Sequence, residues 1–186
     1  ALTTNGSVVT FGSPDHGGNS LAVKEKLDRG VKQIFSNTYS FAALKDDGSV
    51  VYWGNPNTID DIYYQNAAEF NLSGYYKFPE EQLLSDVKSI SSTEHAYAAI
   101  KEDGSVVTWG AGTRGGTLEC YWQEGALLIE TSPGVSKWLP QGSAFNKLQS
   151  GVKEIHSTRG AFAALKEDGS VVIWGRVDGG GSAAFG

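Results

Sequence analysis

The sequence predicts an all-β chain of small stacked sheets, and three observations carry that reading. A motif recurs three times: AALKDDGSVVYWG at 42–54, AAIKEDGSVVTWG at 98–110 and AALKEDGSVVIWG at 163–175. Ten of its thirteen columns are identical, and a fixed period of this kind marks a repeated supersecondary unit. A half-sized copy, ALTTNGSVVTFG, opens the chain at 1–12. The third observation is composition. The 186 residues are 40% hydrophobic and include 5 Trp, 8 Tyr and 8 Phe, which suffices for one domain with an aromatic-rich core.

Each full copy begins with a short strand: Val31-Lys32-Gln33-Ile34, Val87-Lys88-Ser89-Ile90 and Val152-Lys153-Glu154-Ile155. Apolar residues are read there as alternating with polar ones, the period of a half-buried strand. A small-and-aromatic strand follows, such as Phe41-Ala42-Ala43-Leu44. A tight turn comes next, centred on Asp47-Gly48, Asp103-Gly104 or Asp168-Gly169, with Asn5-Gly6 in the opening copy. Such dipeptides between apolar strands are a strong hairpin signal, because Gly tolerates positive φ. The last strand reads Ser-Val-Val-x-Trp-Gly. Val50 and Tyr52 fall on one face, Val51 and Trp53 on the other, so both faces carry bulk. That pattern suits a sheet held between two other sheets. The paired alanines make room for the large rings. Short helices are predicted over 20–27, capped by Ser20, and over 80–84 and 143–148.

The spacing from Phe11 to Trp53 is 42 residues, then 56 to Trp109 and 65 to Trp174. The basic unit is therefore about 42 residues long, and two insertions, 55–79 and 111–142, lengthen the later copies. The chain divides as one domain, 1–186, with units 1–12 (partial), 13–54, 55–110, 111–175 and 176–186 (partial).

Gly-Val-Lys-x-Ile followed by Ala-Phe-Ala-Ala-Leu-Lys-x-Asp-Gly-Ser-Val-Val-x-Trp-Gly resembles the repeat of the regulator-of-chromosome-condensation family, in its bacterial and algal branch. The resemblance covers most of the chain outside the insertions. It implies β-propeller-type blades, each copy supplying most of a four-stranded blade, and function by protein–protein contact through one face. Both ends fall inside a copy, so three full and two partial copies predict an open arc or fragment, with short helices in the linkers. The family's secreted and organellar members favour a secreted or lumenal location over the cytosol.

The chemistry-bearing residues read as structural. His16, His95 and His156 have no metal-ligand spacing, and His156 is read in the strand-end column of Ser36 and Ser92. Cys120 is the only cysteine, so no internal disulfide forms. Asp47, Asp103 and Asp168 are turn residues. The glycines of 110–116 lack the Gly-Lys-Ser/Thr ending of a phosphate loop, and 178–181 lacks a calcium-binding period. Gly48, Trp53, Gly54, Gly104, Trp109, Gly110, Gly169, Trp174 and Gly175 are assigned to the frame. No catalytic residue, cofactor or metal site is expected.

Net charge is −6, which argues against a phosphate-binding face and nucleic-acid partners. No apolar run is long enough to span a bilayer; peripheral membrane association is left open. The functional candidates are the aromatic residues of the insertions: Tyr63, Tyr64, Tyr75 and Tyr76 in the first, Tyr121, Trp122 and Trp138 in the second. Tyr and Trp dominate binding hot spots because they bury large area with few rotatable bonds. The expected function is a non-enzymatic, soluble scaffold or accessory subunit that docks through 55–79 and 111–142 to other proteins, including neighbouring subunits of a complex. The alternatives are an enzyme inhibitor of propeller type and, following the family's namesake, a guanine-nucleotide exchange factor. The same insertions could instead fold back to cover the frame.

Overall fold

Eleven strands are seen in a computed structural model of the chain, which describes residues 1–55, 78–111, 114–116, 126–132, 135–140, 144–176 and 179–180. The first full copy forms β1 (Val31–Ser36), β2 (Ser40–Lys45) and β3 (Val50–Gly54), paired in that order and antiparallel. The second forms β4 (Val87–Ser92), β5 (Ala96–Lys101) and β6 (Val106–Gly110). Two strands of the second insertion, β7 (Ala126–Ser132) and β8 (Val135–Pro140), pair with each other. The third copy forms β9 (Val152–Ser157), β10 (Ala161–Lys166) and β11 (Val171–Gly175).

The two-faced reading of the last strand holds. In the first sheet, Val31, Ala43, Val51 and Trp53 face Leu27 and Val8 on one side. Ala42, Leu44, Val50 and Tyr52 face the other way, onto Val87, Ile90, Tyr97, Ala99, Val107 and Trp109 of the second sheet. The second sheet turns Ala96, Ala98, Ile100 and Val106 onto Val152, Phe162, Ala164, Val172 and Trp174 of the third. Two layers of alanine lie between the rings, which lets sheets carrying Trp, Tyr and Phe approach closely.

The Val-Lys-x-Ile segment is not a regular strand. Its apolar residues are three apart, which a flat strand would place on opposite faces. In β1, Val31 opposes Lys45 and Gln33 opposes Leu44, so Lys32 is an unpaired bulge residue. Lys88 and Lys153 take the same place in β4 and β9. The extra residue restores Val and Ile to one face.

The hairpin turns also differ from the two-residue form. Lys45 N–H donates to Ser49 O at 2.9 Å and Gly48 N–H to Lys45 O at 3.0 Å, so three residues make the loop. Gly48 carries the positive φ, 76°. Asp47 acts through its carboxylate, which accepts the Ser49 amide at 3.0 Å and hydroxyl at 2.6 Å. Asp103 and Asp168 repeat this with Ser105 and Ser170.

The expected helices are shorter than the sequence suggests. Leu21–Val23 is a 3-10 turn leading into an α-helical turn, Lys24–Leu27. Ser20 does not cap it: its hydroxyl lies 2.9 Å from Thr10 Oγ1, while Asn19 Oδ1 accepts the Leu21 amide at 3.0 Å. Glu80–Leu83 is 3-10 and Ala144–Lys147 α-helical. These turns place Leu27, Leu83 and Leu148, each four residues before the strand-opening Val, in the core.

The expectation of propeller-type blades in an arc is overturned. The copies make three separate three-stranded antiparallel sheets, with no fourth strand and no closed or curled arrangement among the described residues. They stack in chain order, and the outermost surfaces of the stack stay exposed: Phe11 is 79% exposed at one end and Val171 62% at the other.

Candidate functional site

Successive sheets are tied to each other at both ends of their strands. At the turn end, Val31, Val87 and Val152 donate their amides to the carbonyls of Gly6, Gly48 and Gly104, at 2.9 to 3.0 Å. At the opposite end, the loops before β2, β5 and β10 line up. Thr38 N–H donates to Glu94 O at 3.1 Å and Glu94 N–H to Arg159 O at 3.0 Å. Ser92 Oγ donates to Ser36 O at 3.0 Å, and Ser157 Oγ to Ser92 O at 2.7 Å.

Glu94 is the centre of that end. Its carboxylate accepts Arg159 Nε at 2.6 Å and Nη2 at 3.0 Å, and Arg114 Nη1 at 3.1 Å. The Arg159 fork is a charge-assisted bidentate pair. It holds the Glu94 carboxyl below its ordinary value, with the His95, Arg159 and Arg114 charges adding to the effect. Buried His95 lies 3.4 Å from the same carboxylate, and its ring stacks on Tyr39, which in turn meets His16. The result is a connected cluster of charged and aromatic groups.

Both insertions leave from this end. Asn55 N–H donates to Tyr39 O at 3.0 Å, and Ala111 N–H donates to His95 O at 2.9 Å. Tyr63, Tyr64, Tyr75, Tyr76, Tyr121 and Trp122 lie outside the described residues, as does Cys120. Trp138 is on β8, in register with Leu128 of β7. At the end of the first insertion, half-buried Phe78 packs against the core: it stacks on Tyr52 at 5.3 Å and meets Trp109 edge-on at 5.7 Å.

Gly54, Gly110 and Gly175 end β3, β6 and β11 opposite Ser40, Ala96 and Ala161. Trp53, Trp109 and Trp174 are buried. Trp53 Nε1 donates to Gly17 O at 3.1 Å and Trp174 Nε1 to Gly115 O at 3.2 Å, so the glycine-rich linkers serve the indoles. Gly48 and Gly104 press against the next sheet, whereas Gly169 faces open space.

His156 pairs with Ala163, which places it in the column of Phe35 and Ser91; the equivalent of Ser36 and Ser92 is Ser157. Its Nε2 is 3.4 Å from Glu154. Among the described residues, no three His, Cys, Asp or Glu side chains are grouped to hold a metal ion, and no helix is long and apolar enough to cross a membrane.

The Glu94 cluster was not read from the sequence. Thr38, Glu94 and Arg159 occupy one column of the copies with three unlike residues. That variation inside a uniform motif is the available signal.

Neither a protein-family model nor a curated protein matches the chain. Among solved structures, human WBSCR16 is 22% identical over 78% of this chain and 34% of that one, with a TM-score of 0.40. Yeast RCC1 (Prp20), in the crystal structure with Kap60 bound, is the subject of a second match, 22% identical over 80% of this chain and 30% of the matched one, with a TM-score of 0.41. The chain thus spans about a third of the solved chains it matches, and the likeness is a weak, partial one in structure.

Proposed function

We propose that the chain is a non-enzymatic protein-binding scaffold whose docking surface is the Glu94 end of the stack together with the insertions that leave it. The observation that supports this reading is the common origin of the two insertions. Asn55 and Ala111 are anchored to equivalent carbonyls, Tyr39 O and His95 O, on neighbouring sheets. Two aromatic segments that start side by side on a rigid frame can present one surface. A frame already ordered spares a partner much of the entropic cost of fixing the binding residues. Tyr75, Tyr76 and Trp122 are the anchors we assign, and the partners are other proteins or neighbouring subunits.

The test is quantitative partner capture by the immobilised chain and by its Tyr75→Ala/Tyr76→Ala/Trp122→Ala variant. Loss of capture by about tenfold or more, with an unchanged circular dichroism spectrum, is expected for hot-spot residues. Equal capture by the two proteins overturns the reading.

A further inference from the structure

We propose that Asn5 is a covalent self-modification site: its carboxamide closes onto the Gly6 backbone nitrogen, expels ammonia and hydrolyses to aspartate or isoaspartate. The argument is a comparison of the four equivalent turns within the molecule.

The opening turn has the same main-chain bonds as the others. Thr3 N–H donates to Ser7 O at 2.9 Å and Gly6 N–H to Thr3 O at 3.1 Å, and Gly6 carries a φ of 78°. The residue before the glycine is what differs. Asp47, Asp103 and Asp168 hold carboxylates there, whereas Asn5 holds an exposed carboxamide, which carries a leaving group. Its Oδ1 accepts the Thr3 hydroxyl at 2.5 Å, the shortest contact of that hydroxyl, and the Ser7 amide at 3.2 Å. The second bond spans Gly6, so it folds the carboxamide back over the Gly6 peptide. Glycine has no Cβ to crowd that nitrogen. Both donors point at the oxygen on which charge develops as the nitrogen attacks, and that arrangement lowers the barrier of acyl transfer.

The step needs no oxidant or reductant. The Gly6 nitrogen gives its proton to solvent and bonds to Asn5 Cγ. The Cγ–Nδ2 bond breaks, and Nδ2 takes a proton and leaves as ammonia. Water then opens the five-membered imide. Cleavage of the new bond at Cγ gives aspartate and restores the main chain. Cleavage at the Asn5 main-chain carbonyl gives isoaspartate, with the chain now running through Cβ and Cγ.

The two products act oppositely on the seam with the first sheet. Aspartate supplies the carboxylate with which Asp47 holds the Ser49 amide and hydroxyl, at 3.0 and 2.6 Å. Isoaspartate lengthens the main chain beside Gly6. The Gly6 carbonyl accepts Val31 N–H at 2.9 Å, and even a Cβ on Gly6 would lie 3.0 Å from Gly30 N. The bond to Val31 is therefore the one that isoaspartate breaks.

The experiment is peptide mapping by mass spectrometry on the folded chain, incubated for weeks at physiological pH, with isoaspartate separated by chromatography. Asn5 should convert, while Asn19 and Asn37, followed by Ser20 and Thr38, stay amides. Thr3→Val removes one of the two donors and should slow conversion about 2- to 10-fold, the rate equivalent of one hydrogen bond. Thr3→Ser should restore the rate. Circular dichroism checks that each variant folds, and Thr3→Ala replaces Thr3→Val if that one does not. Hydrogen exchange at the Val31 amide should be unchanged in Asn5→Asp and faster in the isoaspartate fraction. An Asn5 that stays an amide, or converts no faster than Asn37, overturns the proposal. So does an unchanged rate in Thr3→Val, or a Val31 amide equally protected in both products.

Discussion

Glu94 holds Arg159 twice: its amide donates to the Arg159 carbonyl at 3.0 Å, and its carboxylate accepts the Arg159 guanidinium at 2.6 and 3.0 Å. One residue thus joins the second sheet to the third by backbone and by side chain. The loops that frame the proposed binding end are fixed by this contact and by the matching Thr38–Glu94 bond.

The pair gives the stability a pH dependence. Arg159 first, then the neighbouring charges, hold the folded Glu94 carboxyl below its ordinary value of 4.5. A group depressed on folding stabilises the protein above its unfolded pKa, and that contribution is lost as pH falls through the folded value. Glu94→Gln should therefore lower the Tm at neutral pH and reduce the loss of Tm on acidification from pH 5 to pH 3. Thermal unfolding of both proteins across that range checks it. Parallel acid limbs would show that the carboxylate charge plays no part.

Tyr97 joins the first two sheets. Its buried hydroxyl donates to Ser40 O at 2.7 Å and lies 3.2 Å from Ser40 Oγ, which donates to Asn37 Oδ1 at 2.8 Å. Burial pushes the phenol well above its ordinary range. Phe41 and Phe162 fill the equivalent position, so the ring alone packs there. Tyr97→Phe should cost about 1–2 kcal/mol, the usual loss when a buried acceptor forfeits its donor. Urea unfolding measures it.

The turn glycines should not be equal. Gly48→Ala and Gly104→Ala combine a left-handed backbone with a clash against the next sheet, at φ 76° and 75°. Each should destabilise by about 2–5 kcal/mol. Gly169→Ala, at φ 83° in open space, should cost only the strain, about 1–2 kcal/mol. Equal losses in urea at all three positions would contradict the stacking.

Phe78 separates frame from insertion. Packed between Tyr52 and Trp109, it should behave as core. Phe78→Ala should lose about 2–4 kcal/mol of stability, while the fraction still folded captures partner as the wild type does. Lost capture at full stability would move Phe78 to the binding surface.

Much of the frame is legible in the sequence because it is written in side chains. The opposed faces of Val50/Tyr52 and Val51/Trp53, the paired alanines and the positive φ of the turn glycines all follow from strand period and sterics. What escapes is written in backbone. Nothing in the letters of Thr38, Glu94 and Arg159 announces an amide ladder. The bulge at Lys32 shows only as a three-residue spacing that does not fit the strand period. The family-like motif suggested four-stranded blades, but among the described residues each copy pairs three strands into one sheet. The insertions mislead for a different reason: apolar content marks burial without saying in what. Phe78 reads the same as Tyr75 or Tyr76 although it packs against the core, and the pairing of 126–132 with 135–140 was not read from the sequence at all.

The account depends on sheets welded to one another, leaving the insertions to bind. Native-state hydrogen exchange tests the weld most directly. The amides of Val87, Val152 and Glu94, which cross between sheets to Gly48, Gly104 and Arg159, should be protected as well as the amides of β5, exchanging only when the protein unfolds globally. Exchange of these three at the rate of exposed turn amides, with β5 still protected, would contradict the account.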